Sequence, residues 1–371
     1  LPVASKQLEK IAKDLRLAVG LDAGRFSYGQ LLEKPEFLPA LKLLADEITS
    51  FAALLETQAE RAEGLEKCWQ RALELVQRLA AWQKTGADGY VRWAEAFTHS
   101  LQLNSTPLDV AEIFKKQMGG HPRAWIFTSA TLAVQGKFHH YCSELGLGEP
   151  DSACWESPFD YGTQAMLYAP LGMPEPNSYG YTDAVVEAAF PAVIAAGGGT
   201  FFLCTSLRAM RRTHELIKAR LEDEGHDLPL LMQGEGSKNE LLERFRHLGN
   251  AVLVGSQSFW EGVDVRGEAL SLVVIDKIPF APPDDPVLSA RIEQMKQQGR
   301  NAFMEYQLPR AVINVKQGAG RLIRDETDRG VLMICDPRLL SKPYGRRVWQ
   351  SLPPMKRTKE LSDVINFFAS R

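Results

Sequence analysis

The sequence predicts an α/β fold, a parallel sheet with helices on both faces, preceded by an all-helical domain. Three observations carry that prediction. Apolar runs such as Leu272-Val273-Val274-Ile275 show no polar alternation, as strands buried on both faces require. From Phe138 onward such runs alternate with amphipathic stretches of helix length, the pattern of a doubly wound parallel sheet. Before Gly86 the apolar residues recur at spacings of three, four and seven, which is helical.

Taken in order, Ser5–Val19 and Phe37–Leu44 read as amphipathic helices separated by a loop around Gly24–Tyr28. Ile48, Phe51, Leu55, Ala62, Leu65, Trp69, Ala72, Val76 and Leu79 form one apolar stripe. The stripe predicts a single long helix from about Asp46 to Lys84, stopped at Gly86. Val91–Leu103 alternates imperfectly and predicts one or two strands. Thr106 as N-cap and Pro107 at the first helical position predict a helix reaching Met118. Ala124–Phe127 reads as a short buried strand. Further strands are predicted at Met166–Ala169, Thr200–Cys204, Leu228–Met232, Ala251–Val254, Leu270–Ile275 and Val331–Cys335, the last. Helices are predicted at Thr182–Ala196, kinked or split by Pro191, at Leu207–Glu222 and Ser237–Leu248, and from about Pro286 and Ala302. Gly197-Gly198-Gly199 precedes a strand and reads as a turn.

The 371 residues are enough for two or three domains, and 45% hydrophobic with 24% charged residues is ordinary for a soluble globular protein. No run is apolar enough to span a bilayer: Ala184–Ala196 is short and carries Glu187 and Pro191. The start, Leu1–Lys13, is amphipathic and is not a secretory signal. The first residue is not Met, so an excised piece of a longer protein is expected. Five dispersed cysteines, with no C-x-x-C, predict neither a metal site nor a disulfide framework and suit a reducing cytoplasm. The net charge of −3 hides an asymmetry: residues 291–371 carry 16 Lys and Arg against 8 Asp and Glu. That basic part could face a polyanion, or be scattered solvated charge.

Chemistry concentrates in Gln317-Gly318-Ala319-Gly320-Arg321-Leu322-Ile323-Arg324. Two arginines three residues apart on one helix face would aim two rigid guanidinium forks at one anion. The alternative for this octapeptide alone is an exposed helix with solvated arginines. Thr128-Ser129-Ala130-Thr131-Leu132 sets hydroxyls at the end of a predicted strand, where an α/β sheet meets its ligands. Thr205 and Ser206, followed by Arg208, end another strand and could bind a phosphate backbone. In Ser256–Asp264, Ser258 is a donor, Trp260 could stack on a base or anchor the loop, and Glu261 and Asp264 flank Gly262. No G-x-x-x-x-G-K-S/T phosphate loop, no G-x-G-x-x-G after a strand and no D-E-A-H string is present. The chain has residues that could act on a nucleotide's phosphates and nothing to hold the nucleotide itself.

Together these four segments stand in the order of motifs III, IV, V and VI of DinG/XPD-like superfamily 2 DNA helicases, and the chain resembles the C-terminal half of such a protein. The resemblance runs through residues 89–371 and implies a RecA-like sheet. It implies a helical Arch-like domain at 1–88, the end of a first RecA-like lobe at 89–136 and a second lobe at 137–371. It assigns Gln317, Arg321 and Arg324 to catalysis at the γ-phosphate. Ser129, Thr131, Glu261, Gly262, Asp264 and Gly320 would bind the nucleotide or couple its cleft to DNA. Thr205, Ser206, Arg208, Ser258 and Trp260 would contact single-stranded DNA. The resemblance further implies ATP and Mg²⁺ in the full-length parent, an iron–sulfur cluster as an option in the missing N-terminal part, and no cofactor bound by this piece alone. Its partners would be single-stranded DNA, ATP and a replication or repair protein, with no membrane, and its polarity 5′ to 3′. Lacking both Walker motifs, the piece alone is expected not to hydrolyse ATP. The rival reading is a non-catalytic α/β protein-interaction module.

Overall fold

The computed structural model describes residues 1–84, 89–120, 123–129, 131–134, 136–256, 259 and 269–370. The chain divides into two compact units that are not contiguous in sequence. The first comprises 1–121, 144–146 and 281–302; the second comprises 122–143, 147–280 and 303–371. The expected cut at 88 therefore falls inside the first unit, and the predicted helix near Pro286 belongs to that unit as well.

In the first unit, helices Pro2–Ala18, Phe37–Glu56 and Glu63–Gln83 stand beside a three-stranded antiparallel sheet of β1 (Gly24–Ser27), β2 (Tyr90–Ala96) and β3 (Leu101–Pro107). Gly24–Ser27, expected as a loop, is a strand, because β2 offers it a complete ladder from Gly24↔Ala96 to Ser27↔Trp93. The long stripe is not one helix. It breaks between Glu56 and Glu63, where Ala62 is extended at φ −164°, ψ 141°. The chain folds back, and Phe51, Ala52 and Leu55 pack against Leu65, Trp69, Ala72 and Val76. The connection from Leu55 to Ala62 spans seven residues, two helical turns, so the apolar period kept its phase across a reversal.

A second core joins Leu15, Val19, Leu31, Phe37, Leu41 and Trp82 to Ala94 and Ala96 of β2, and the Trp82 indole donates to the Asn104 carbonyl at 2.8 Å. Arg16 is buried beside it, its guanidinium donating to the carbonyls of Gly20, Leu21, Asp22 and Phe97. Thr106 and Pro107 end β3 instead of opening a helix. The next helix is Ala111–Met118, and Asp109 Oδ1 accepts from the Ala111 amide ahead of it.

The second unit holds a seven-stranded sheet, all of whose pairs are parallel. Its strands are β4 (Ala165–Tyr168), β5 (Thr200–Leu203), β6 (Leu230–Met232), β7 (Val252–Gly255), β8 (Leu272–Ile275), β9 (Gly330–Ile334) and β10 (Lys356–Thr358), in the order β10-β4-β9-β8-β5-β7-β6. One face packs Phe201, Leu203, Leu253, Val273, Ile275 and Leu332 on helices Lys238–Leu248 and Leu308–Ala319. The other packs Phe202, Val252, Val254, Leu272, Val274 and Met333 on helices Tyr181–Ala195, Leu207–Glu224 and Leu361–Ala369. Pro191 sits inside the first of these without splitting it. β10 lies beyond the expected last strand; its Lys-Arg-Thr sequence has no apolar signal because it is an edge. Ala124–Phe127 forms no strand, and Trp125 and Ile126 are exposed.

The predicted glycine turn is real: Gly197, Gly198 and Gly199 all have positive φ, at 68°, 88° and 53°. A Cβ on Gly198 would lie 1.9 Å from the Asn250 carbonyl oxygen. Gly198→Ala is expected to lower unfolding free energy by roughly 2–4 kcal/mol, combining backbone strain with a clash against backbone. Gly225→Ala, at φ +71° with open space around it, should cost only about 1 kcal/mol. Urea denaturation of the two variants measures the contrast; equal midpoints would contradict it.

Candidate nucleotide and nucleic-acid site

The sheet places Gln317–Arg324 at one of its ends and Thr205–Arg208 at the other. The helix Leu308–Ala319 descends to the edge where the strands begin, and the chain turns there before entering β9. Gln317 is in the last helical turn and Gly320 is the C-cap. Arg321 and Arg324 are not on a helix face, contrary to expectation; they lie in the turn beyond it. Two forces end the helix there. Leu322 and Ile323 are both drawn into the core, Leu322 so tightly that a Cβ on Gly330 would sit 2.5 Å from its Cδ1. The amides of Arg324 and Asp325 are taken by Asp328 Oδ2 at 2.7 and 2.9 Å, a side-chain acceptor that competes with helix carbonyls. Gln164, just ahead of β4, donates to the carbonyls of Asp325, Glu326 and Asp328 and fixes the turn to the sheet edge.

This edge is suited to a polyanion. Burial holds the Arg324 guanidinium below its ordinary pKa; Asp328 opposes the shift, and the neighbouring Arg246 cation adds to it. A partly desolvated cation beside a second cation is stabilised by an arriving phosphate. Gln317 Oε1 is buried and lacks a hydrogen-bond partner among the described residues, so an acceptor is available for a water or a ligand donor. Arg246 was not legible in sequence: it sits on an ordinary amphipathic helix, 70 residues and more from the motif it joins. Lys316 was missed for the same reason. Its half-buried ammonium donates to the Ala133 carbonyl at 2.9 Å, and burial pulls its pKa down. That bond ties the end of the Thr128–Leu132 string to the helix carrying Gln317. Within the string, Ser129 Oγ accepts from the Thr131 amide at 3.2 Å and faces its hydroxyl at 3.3 Å.

At the opposite edge, where strands end, β5 delivers Thr205, Ser206 and Arg208. Thr205 turns inward: its amide and hydroxyl both donate to the Asp276 carboxylate at 3.1 Å. Ser206 caps the helix Leu207–Glu224, accepting from the Ala209 amide, and remains exposed, as does Arg208. Asp276, at the end of β8, is the organising residue of this edge, and sequence reading did not find it. It also accepts from the Lys277 amide, and its carbonyl accepts from the buried Tyr181 hydroxyl at 2.7 Å. Beyond β7, Ser256 is held by Gln233, whose Oε1 accepts from its amide and hydroxyl. Ser258, Trp260, Glu261, Gly262 and Asp264 lie outside the described residues. Among the described residues no cluster of three or more His, Cys, Asp or Glu could hold a metal, and no helix is long and apolar enough to cross a membrane.

Burial pushes the Asp276 carboxyl up to about 6, against the opposing pull of the Thr205 and Lys277 amides. The folded state thus holds this proton more tightly than the unfolded chain. Its stabilisation is complete below about pH 4 and is lost as pH rises through 6, by about 3 kcal/mol. Asp276→Asn should abolish that component. The stability difference between wild type and variant, measured by denaturant titration across pH 4–7, should shift against the wild type as pH rises. A difference independent of pH would show Asp276 ionised throughout.

The profile of the helicase C-terminal domain matches residues 191–355. The ATP-dependent DNA helicase YoaA of Escherichia coli (strain K12) is 42% identical over 98% of this chain and 56% of its own length. The YoaA of Haemophilus influenzae is 40% identical over 100% of the chain and 57% of its length. The ATP-dependent helicase DinG of Mycobacterium tuberculosis (strain H37Rv) is 37% identical over 71% of the chain and 39% of its length. The chain thus spans little more than half of the first two relatives. A solved XPD helicase shares the fold at TM-score 0.61 and 15% identity, over 96% of this chain and 62% of that one. With its helicase C-terminal domain, its similarity to the YoaA and DinG helicases and the fold it shares with XPD, the chain is DinG/XPD-like.

Proposed function

We propose that this chain is the C-terminal part of an ATP-dependent DNA helicase that moves 5′ to 3′ along single-stranded DNA in repair or replication. The observation that carries this reading is the arginine-bearing turn at the start of β9, with Arg324 beside Arg246 and the orphaned oxygen of Gln317 nearby. In this reading the seven-stranded unit is the second motor lobe and the helical unit is Arch-like. The Thr128–Leu132 string is the end of the first lobe. Gln317 positions the γ-phosphate or the attacking water, and Arg321 and Arg324 stabilise charge on the transferring phosphoryl group. Gly320 is the C-cap of the helix, and Arg321 follows it in the turn. ATP and Mg²⁺ would be held by the N-terminal part of the parent, and DNA would run along the Thr205–Arg208 edge. Ser129 and Thr131, tethered through Lys316, would report the state of one lobe to the other, as would Glu261, Gly262 and Asp264.

The isolated 371-residue chain should therefore turn over no ATP above a contaminant control. In the full-length parent, Arg321→Ala or Arg324→Ala should reduce DNA-stimulated ATP turnover by roughly 10³-fold with little change in melting temperature. Lys at 321 should not restore the rate, because an ammonium lacks the bidentate fork. Steady-state ATPase and thermal unfolding on the same preparations test this. Turnover that falls only in proportion to lost folded protein would favour a structural role and the interaction-module reading.

A further inference from the structure

Beside the Thr205–Ser206 turn lies a cavity of about 630 Å³, to which that motif segment contributes Ser206 and Arg208 while the rest of its lining comes from outside the motif segments. One wall is the segment 176–183, and the other is Lys277 with the first turns of the helix Leu207–Glu224. Tyr179 stands at its rim fully exposed, at 104%. Its backbone is nonetheless fixed. The Ser178 amide and hydroxyl both donate to the Glu175 carbonyl, at 2.9 and 2.7 Å, and the Tyr181 amide donates to the Ser178 carbonyl. Gly180 then takes a left-handed φ of 82° to start the next helix. The turn buries Tyr181 and leaves the Tyr179 ring in water.

The charge of the cavity is unbalanced. Asp183 is engaged by Arg212, with Nη2–Oδ2 at 2.6 Å, which leaves Arg208 and Lys277 in excess. The volume falls within the range of small-ligand sites. A presented aromatic face next to two cations is the chemistry that binds an unpaired nucleotide: the ring replaces a lost stacking neighbour and the cations take the phosphate. A duplex has no free base face to offer it.

We propose that this cavity is a one-nucleotide subsite for single-stranded nucleic acid, with the base stacked on Tyr179 and the flanking phosphate held by Arg208 and Lys277. The proposal rests on the single-strand reading above and adds an aromatic platform outside the motif segments. The test is fluorescence anisotropy of the 371-residue chain with a labelled oligothymidylate at low and rising salt. Tyr179→Ala should weaken binding about tenfold and Tyr179→Trp should not, since stacking of one base on an aromatic ring contributes on that scale. Lys277→Ala should weaken binding and lower the salt slope by about one, the signature of one lost phosphate contact. An abasic strand of the same length should bind wild type and Tyr179→Ala alike. Thermal unfolding controls for folding, which an exposed ring should not affect. Equal affinity of wild type and Tyr179→Ala for oligothymidylate would overturn the subsite while leaving the single-strand reading intact. So would thymidine monophosphate competing as well as the oligomer. No binding by the wild type at low salt would overturn both.

Discussion

Parallel pairing of seven strands is the constraint on which the second unit depends. Each strand must be covered on both faces, so every connection returns over a face as a helix or long crossover. Phe201 and Phe202, adjacent in sequence, belong to opposite cores for this reason. With both faces occupied by packing, only the two edges of the sheet are left to carry chemistry. The edge where strands begin holds the Arg321–Arg324 turn, and the edge where strands end holds Thr205, Ser206, Asp276 and Lys277. The length of a single sheet thus separates the two clusters.

Both edges use buried charge as a fastener. At the strand ends, Asp276 collects the amides of Thr205 and Lys277 and the Thr205 hydroxyl, while the Asp336 carboxylate takes the Ile278 amide and a forked contact from Arg338. At the strand starts, Asp328 collects the amides of Arg324 and Asp325. In each case a carboxylate satisfies backbone donors that leave regular structure, and so fixes loops that otherwise would have only water to bond. Burying the Asp276 carboxyl costs hydration free energy, which the bonds from Thr205 and Lys277 partly offset.

Much of this was legible beforehand. The apolar runs of β5, β7, β8 and β9, the glycine turn at 197–199 and the helix ending at Leu248 all follow from local rules, since each is a property of a few consecutive residues. The arginine motif was also visible, but not its conformation. Leu322 and Ile323 continue a helical spacing well enough; what ends the helix is the pocket against Gly330 and the reach of Asp328, both supplied by residues further along the chain. Asp276, Arg246 and Lys316 carried no signal because each acts on a partner 50 or more residues away.

The sequence by itself determined the period of the buried strands β5, β7, β8 and β9 and of the helices between them, and with it the parallel sheet and the order of the motif segments. It could not determine direction. The stripe from Ile48 to Leu79 fits one helix or a hairpin equally, because the seven-residue step across the reversal equals two turns. Tertiary structure decided that reversal, the pairing of Gly24–Ser27 with β2, and the assignment of 281–302 to the first unit. Periodicity records which side of an element is apolar; which surface it meets depends on the free energy of contacts distant in sequence.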